Sequence, residues 1–129
     1  MTEVPAELRY TKEHEWVRTD SAVKARIGIT AYAVEQLGDI VYASLPTVGA
    51  TVEVGDSCGE IESTKSVSDV FSPVSGVIVS VNDQVIETPE IINQSNYDDG
   101  WLFEVELSNA TELDALLDCA SYQQFVEEL

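Results

Sequence analysis

Short β-forming runs, each stopped by turn residues within a few positions, constrain this chain more than any other feature. Residues 23–29, 39–45, 77–81 and 101–107 are such runs, and Gly, Pro, Asn and Asp cluster between them. No apolar run approaches membrane-spanning length. Alternation places Val23, Ala25 and Ile27 on one face of their strand, and sets Ile40, Tyr42 and Ser44 against Val41, Ala43 and Leu45. Residues 10–17 read as the first strand, with Trp16 as a core anchor, and Thr19-Asp20-Ser21 as the turn that follows. A brief strand over 51–54 lies between the turn signals Val48-Gly49 and Val54-Gly55-Asp56, Pro46 having ended the strand before it.

Helical signals are few and mostly peripheral. Thr30 is placed to cap a helix over 31–37, with Gly38 in the position of a C-terminal glycine and Ala33, Val34 and Leu37 as the buried stripe. Asn82-Asp83 closes the strand over 77–81. Residues 82–100 are long for a structureless loop, and Thr88-Pro89-Glu90 opens a short helix carrying Ile91 and Ile92. Leu102, Val105 and Leu107 are candidate core positions in the last strand. Thr111 is expected to cap residues 112–117, with Asp114 in the capping-box position. Asp118 is expected to cap a final helix from 119 to about 128 that buries Tyr122, Phe125 and Val126 and frays at Glu127 and Glu128. The sum is a mainly β domain with peripheral and C-terminal helices, a single unit of 129 residues with a loose leader over 1–7.

Charge sharpens the functional reading. The chain carries 24 acidic residues against 6 basic ones, a net charge of −18. Such a balance argues against nucleic acid and anionic membranes as partners, favours a soluble monomer, and suits proteins with basic docking surfaces. Cys58 and Cys119 form no Cys-x-x-Cys pair and read as thiols in a reducing compartment. Met1-Thr2-Glu3-Val4-Pro5 has neither signal-peptide nor transit-peptide character, so the chain reads as cytoplasmic, a processed organellar form being left open. One histidine and no Ser/His/Asp arrangement give no catalytic triad; nor is there a metal cluster or a phosphate-binding glycine loop.

The informative scarcity is lysine. There are three, and Lys65 is the only basic residue after Arg26. It stands in the middle of residues 59–71, which read as two short strands meeting at a tip. Ile61, Val67 and Val70 are apolar anchors, although no Asn-Gly or Asp-Gly marks the turn. A primary amine can be converted enzymatically to an amide, and a lysine at the end of a rigid finger is well placed for that.

The run Glu62-Ser63-Thr64-Lys65, then Ser68-Asp69 and Ser72-Pro73-Val74-Ser75-Gly76, resembles the lipoyl-lysine hairpin of the glycine cleavage system H-protein family. Further blocks agree in order: Arg9-Tyr10-Thr11, His14-Glu15-Trp16-Val17, Gly28-Ile29-Thr30, Leu37-Gly38-Asp39, Leu45-Pro46, Val48-Gly49, Asn96-Tyr97 and Gly100-Trp101. The resemblance covers about residue 8 to the C-terminus.

It implies a barrel-sandwich hybrid and a lipoic acid amide on Lys65. Glu62, Gly49 and Gly76 would serve recognition by the lipoylating enzyme, and Glu15 and Asp69 the docking of a loaded arm. On residue type alone Glu62 is equally a strand carboxylate facing water, and the two glycines are turn residues. The implied partners are a pyridoxal-phosphate glycine decarboxylase that loads an aminomethyl group, a tetrahydrofolate-dependent aminomethyltransferase that removes it, and a flavin dihydrolipoamide dehydrogenase that reoxidises the carrier. The chain would then be a carrier and not itself an enzyme. Ser66 departs from the alanine frequent after the lysine, and Ala31-Tyr32 stands where some members carry an acid and a histidine. A biotinyl carrier uses a similar hairpin, with methionines where Thr64 and Ser66 stand here. Such a chain could also serve as a lipoyl donor to 2-oxo acid dehydrogenases or as an unmodified acidic adaptor.

Overall fold

The computed structural model describes residues 4–19 and 23–129. Nine strands form two antiparallel sheets. The larger is built from β1 (Arg9–Tyr10), β2 (Glu15–Thr19), β3 (Lys24–Ile29), β9 (Phe103–Leu107), β8 (Gly76–Val81) and β5 (Thr51–Val52), in that spatial order. The smaller holds β4 (Ile40–Ser44), β6 (Ser57–Ser63) and β7 (Val67–Phe71), in the order β4-β6-β7. Side chains from both sheets meet in one core, in which Ile27, Ile78 and Val105 of the larger face Ala43, Ile61 and Val70 of the smaller. The arrangement is a barrel-sandwich hybrid. No helix of the described residues is long and apolar enough to cross a membrane.

A second cluster joins the chain's two ends. Leu8, Tyr10, Trp16, Tyr97 and Tyr122 are buried together. Tyr10 stacks on Tyr122 at 4.7 Å between ring centroids, which ties β1 to helix α4 (Cys119–Glu127). The Tyr10 hydroxyl donates to the Pro5 carbonyl, and Cys119 Sγ lies 3.3 Å from the Val4 carbonyl. Of the expected loose leader, residues 4–7 are therefore held, and 1–3 lie outside the described residues. Trp16 pairs with Gly28 across β2 and β3, its indole N–H donating to the Asn96 carbonyl at 2.9 Å. A β-carbon at position 28 would stand 2.5 Å from the Trp16 ring, so the close approach of ring and backbone requires glycine there.

Several local expectations need correction. Residues 10–17 are not one strand: β1 and β2 pair antiparallel about a tight turn in which His14 has φ 70°. The expected turn at 19–21 falls largely on residues outside those described. Val23 is 61% exposed while Ala25 and Ile27 are buried, because Val23 precedes β3. Ile40 and Tyr42 do not share a face. A bulge between them leaves Ile40 buried and turns both Val41 and Tyr42 outward. β5 ends at Val52, short of the expected 54.

The helices follow capping chemistry with some changes of residue. Thr30 caps α1 (Ala31–Leu37) as expected, accepting from the Ala33 amide, a cap worth about 1 kcal/mol. Asn82 does not merely close a strand. It accepts from the Gln84 amide and caps α2 (Asp83–Glu87), a helix the sequence did not announce. α3 (Ile91–Gln94) starts at Glu90 with no side-chain cap, since Thr88 is spent ending α2. Residues 110–115 form a 3-10 helix capped by Asn109; Thr111 donates its hydroxyl to Asn109 and caps nothing. Asp118 caps α4, accepting from the Ser121 amide, and that bond holds its carboxyl below the usual range.

A lysine at the hairpin tip and two clefts beside it

β6 and β7 form the predicted hairpin, with Glu62 opposite Val67 and Glu60 opposite Asp69. Ser63 closes its tip. The Ser63 amide donates to the Ser66 carbonyl at 2.8 Å. The Ser63 hydroxyl accepts from the amides of Lys65 and Ser66, both at 3.1 Å, and donates to the Ser66 carbonyl at 3.2 Å. One donor and two lone pairs are thereby used in full. Thr64 and Lys65 keep negative φ, so the turn needs no Asn-Gly pair. The Thr64 amide donates to the Asp39 carbonyl at 3.1 Å, anchoring the tip to the junction between α1 and β4.

Lys65 is exposed on this anchored tip and, among the described residues, makes no ion pair. Its side chain passes over Gly38: a β-carbon there would lie 3.3 Å from Lys65 Cε. Glu62 is half-buried on the outer face of the small sheet, beside Tyr42 and Val67. Gly49 and Gly76 are not at the tip. Gly49 has φ 95°, and its amide donates to the Ile78 carbonyl at 2.7 Å. Gly76 begins β8, where a β-carbon would fall 1.9 Å from the Glu106 carbonyl oxygen. Both serve the backbone of the larger sheet.

Two clefts adjoin the hairpin. The nearer, about 270 Å³, is lined by Ser66, Val67 and Ser68 of the hairpin and by Glu13, His14, Tyr32 and Gln36. The farther, about 360 Å³, includes Tyr10, Thr11, Glu13, Glu15, Phe71 and Glu112 in its wall. Glu13 borders both. Along β7, Val67 belongs to the first cleft and Phe71 to the second; Asp69 lies between them on the same strand face, exposed and in neither wall.

Glu15 is the electrostatic outlier. Only 2% of it is exposed, yet no described cation pairs with it. It accepts from the Thr11 hydroxyl at 2.7 Å and from the Phe71 amide at 3.3 Å, which links β2 to the hairpin. Burial pushes its carboxyl up to about 7, against the lowering effect of those two bonds. Such a group accepts a hydrogen bond from an incoming ammonium readily, because the ammonium restores the solvation that burial removed. Cys58 on β6 feels the same environment: burial, with Glu15 nearby, pushes its thiol up to about 12.

The aromatic wall of the nearer cleft was not legible in the sequence. His14 Nδ1 lies 2.7 Å from the Tyr122 hydroxyl, which also lies 2.8 Å from Thr30 Oγ1. The His14 ring packs against Tyr32 at 4.6 Å and Phe125 at 5.9 Å. Burial lowers its pKa, with Glu13 opposing. Where a histidine from α1 is missing, Tyr32 lines the cleft and His14 lies against it from the β1–β2 turn. The one signal for this was the departure at Ala31-Tyr32. Glu112 was also missed. It accepts from the Ser75 amide at 2.7 Å and the Ser75 hydroxyl at 2.8 Å, clamping the turn after the hairpin.

Two small antiparallel sheets with a free lysine amine at the end of a self-braced hairpin define a carrier domain of the barrel-sandwich type. The glycine cleavage H-protein family model matches residues 8–129. The chain is 49% identical over 128 residues to the glycine cleavage system H protein of Salmonella arizonae, covering 99% of each. It is 48% identical to that of an Escherichia coli O139:H28 strain, again covering 99% of each. The crystal structure of a glycine cleavage system H protein from Mycobacterium marinum superposes with a TM-score of 0.87 at 41% identity, over 98% of this chain and 100% of that one. The chain belongs to the glycine cleavage H-protein family, the lipoyl-bearing carriers of that system.

Proposed function

We propose that Lys65 bears lipoic acid as an amide and that the chain, a cytoplasmic monomer, carries an aminomethyl group from a pyridoxal-phosphate glycine decarboxylase to a tetrahydrofolate-dependent aminomethyltransferase. A dihydrolipoamide dehydrogenase would then restore the carrier, and a lipoylating enzyme would equip it in the first place. The observation that carries this reading is the uncovered Lys65 amine on a tip braced by Ser63 and Asp39. When bound, the lipoyl group supplies a dithiolane that can be opened, loaded and reoxidised.

The chain's own residues supply position and shelter. The turn holds the attachment point away from the core, and Gly38 leaves room for the lysine stem. Glu15 would accept a hydrogen bond from the ammonium of the cargo, and Asp69, on the strand face between the clefts, would add a second carboxylate. Holding the ammonium there keeps the labile carbon it is attached to away from bulk water. Glu62 would meet a basic group on the lipoylating enzyme, while Gly49 and Gly76 would act through backbone geometry, fixing how the hairpin is presented.

The test is intact mass of protein taken from its own cells, together with Lys65→Arg. The wild type should carry one lipoyl amide, and Lys65→Arg should fold normally, stay bare and support no glycine decarboxylation. An active Lys65→Arg protein, or a wild type that is always bare, overturns the reading.

A further inference from the structure

Enzymes that form an amide on Lys65 must close over the hairpin tip, and the first complete row of side chains below it is unusual. Tyr42, Glu62 and Val67 are neighbours across β4, β6 and β7. Tyr42 and Val67 are 50% and 55% exposed, and the bulge in β4 adds Val41 at 51%. Three largely exposed apolar side chains thus lie near one carboxylate, Val67 also bordering the nearer cleft, and none of them belongs to the core. The next row is Ser44, Glu60 and Asp69. None of Glu60, Glu62 and Asp69 makes an ion pair among the described residues; the described pairs all lie on the larger sheet or beside it, at Arg18–Asp98, Lys24–Glu104 and Arg26–Glu104.

We infer that this row is the docking surface for the enzyme that lipoylates Lys65, with Tyr42 and Val67 as its specificity-determining apolar contacts. The inference rests on Lys65 being the lipoylated residue. A second copy of the chain does not fit, since it would set Glu60, Glu62 and Asp69 against their own equivalents. The surface instead fits an apolar shelf edged by arginine or lysine. Central apolar burial inside a charged rim is the usual anatomy of a specific interface. In the reaction served, the neutral Lys65 amine adds to the acyl carbon of a lipoyl adenylate. A C–N bond forms, the bond to AMP breaks, and the displaced proton passes to solvent. The row takes no part in that chemistry, so its loss should raise KM and leave kcat alone.

The experiment uses unmodified full-length protein, lipoyl adenylate and a bacterial lipoyltransferase, with mass spectrometry as the readout. The double variant Tyr42→Ser/Val67→Ser should raise KM about tenfold with kcat within about twofold. Glu62→Gln should flatten the dependence of kcat/KM on salt. Val79→Ser, an exposed valine of the larger sheet, is the control and should change neither. Acetylation of Lys65 by an N-hydroxysuccinimide ester should proceed equally in all variants, showing the tip intact. An unchanged KM in the double variant overturns the inference while leaving the carrier reading standing. A wild type that gains no lipoyl group at Lys65 overturns the carrier reading as well.

Discussion

Glu15 Oε2 accepts a hydrogen bond from the Phe71 amide at 3.3 Å, so a buried carboxylate of the larger sheet is wired to the strand that leads to Lys65. Its ionisation therefore bears on stability and, under the proposed docking of the cargo's ammonium, on cargo binding as well. Burial raises its pKa from an ordinary 4.5 to about 7. A raised carboxyl contributes stability below the unfolded value. As pH climbs from 4.5 the unfolded chain ionises first, and this contribution drains away until pH passes 7. The loss is about 3 kcal/mol. Glu15→Gln keeps an acceptor for Phe71 and cannot ionise. It should be about 2 kcal/mol more stable than wild type at about pH 8, with a flatter profile between about pH 5 and 8. Urea unfolding at several pH values measures this; equal slopes in both proteins would contradict it. The same variant should shorten the lifetime of the loaded carrier if Glu15 holds the ammonium.

Gly28→Ala should be costly although it adds one methyl group. The new β-carbon would stand 2.5 Å from the Trp16 ring, which is itself fully buried and tied to the Asn96 carbonyl. Neither side can yield easily, and a loss of about 2 kcal/mol follows from overpacking. Denaturation followed by tryptophan fluorescence should show both the lost stability and a shifted native spectrum.

Tyr122→Phe removes one oxygen and leaves two groups without a partner, His14 Nδ1 and, in part, Thr30 Oγ1. The cost should be about 1–2 kcal/mol. Thermal unfolding measures it. The imidazole NMR signals of His14 should broaden as its ring loses the bond that orients it.

Ser63→Ala should act locally. The hydroxyl makes three contacts within the tip and none with the core. Global stability should fall by no more than about 1 kcal/mol. Hydrogen exchange at the Lys65 and Ser66 amides should quicken while that of β8 and β9 stays as it was. Slower lipoylation would then reflect a less ordered target.

What the sequence made legible was whatever depends on residues close together in the chain. Thr30, Gly38 and Asp118 announced the ends of helices because capping is a local matter. The hairpin was visible from Ile61, Val67, Val70 and the polar tip between them, although Val67, unlike the other two, lies outside the core. Asn82 was misread because a strand end and a helix cap draw on the same residue types. The bulge at Val41 was invisible, since alternation assumes a regular pleat. Lys65 stood out by its scarcity at the tip, whereas its lipoyl role and the barrel-sandwich architecture came from resemblance and not from periodicity. The wall made by His14 and Tyr32, with buried Tyr122 holding His14 from behind, could not be foreseen, because 108 positions separate His14 from Tyr122 and only the packing of α4 brings them together.

Cys58 has a consequence for redox hygiene. Its thiol lies on the hairpin strand, half-buried, donating to the Val70 carbonyl at 3.4 Å, and ionises only near about 12. Sulfur attacks sulfur as the thiolate, and burial keeps this thiol protonated at neutral pH. If Lys65 bears lipoic acid as proposed, a silent Cys58 on the same hairpin spares the cargo-bearing sulfurs capture in a dead-end mixed disulfide. The burial that raises the Glu15 carboxyl also keeps the finger from poisoning itself.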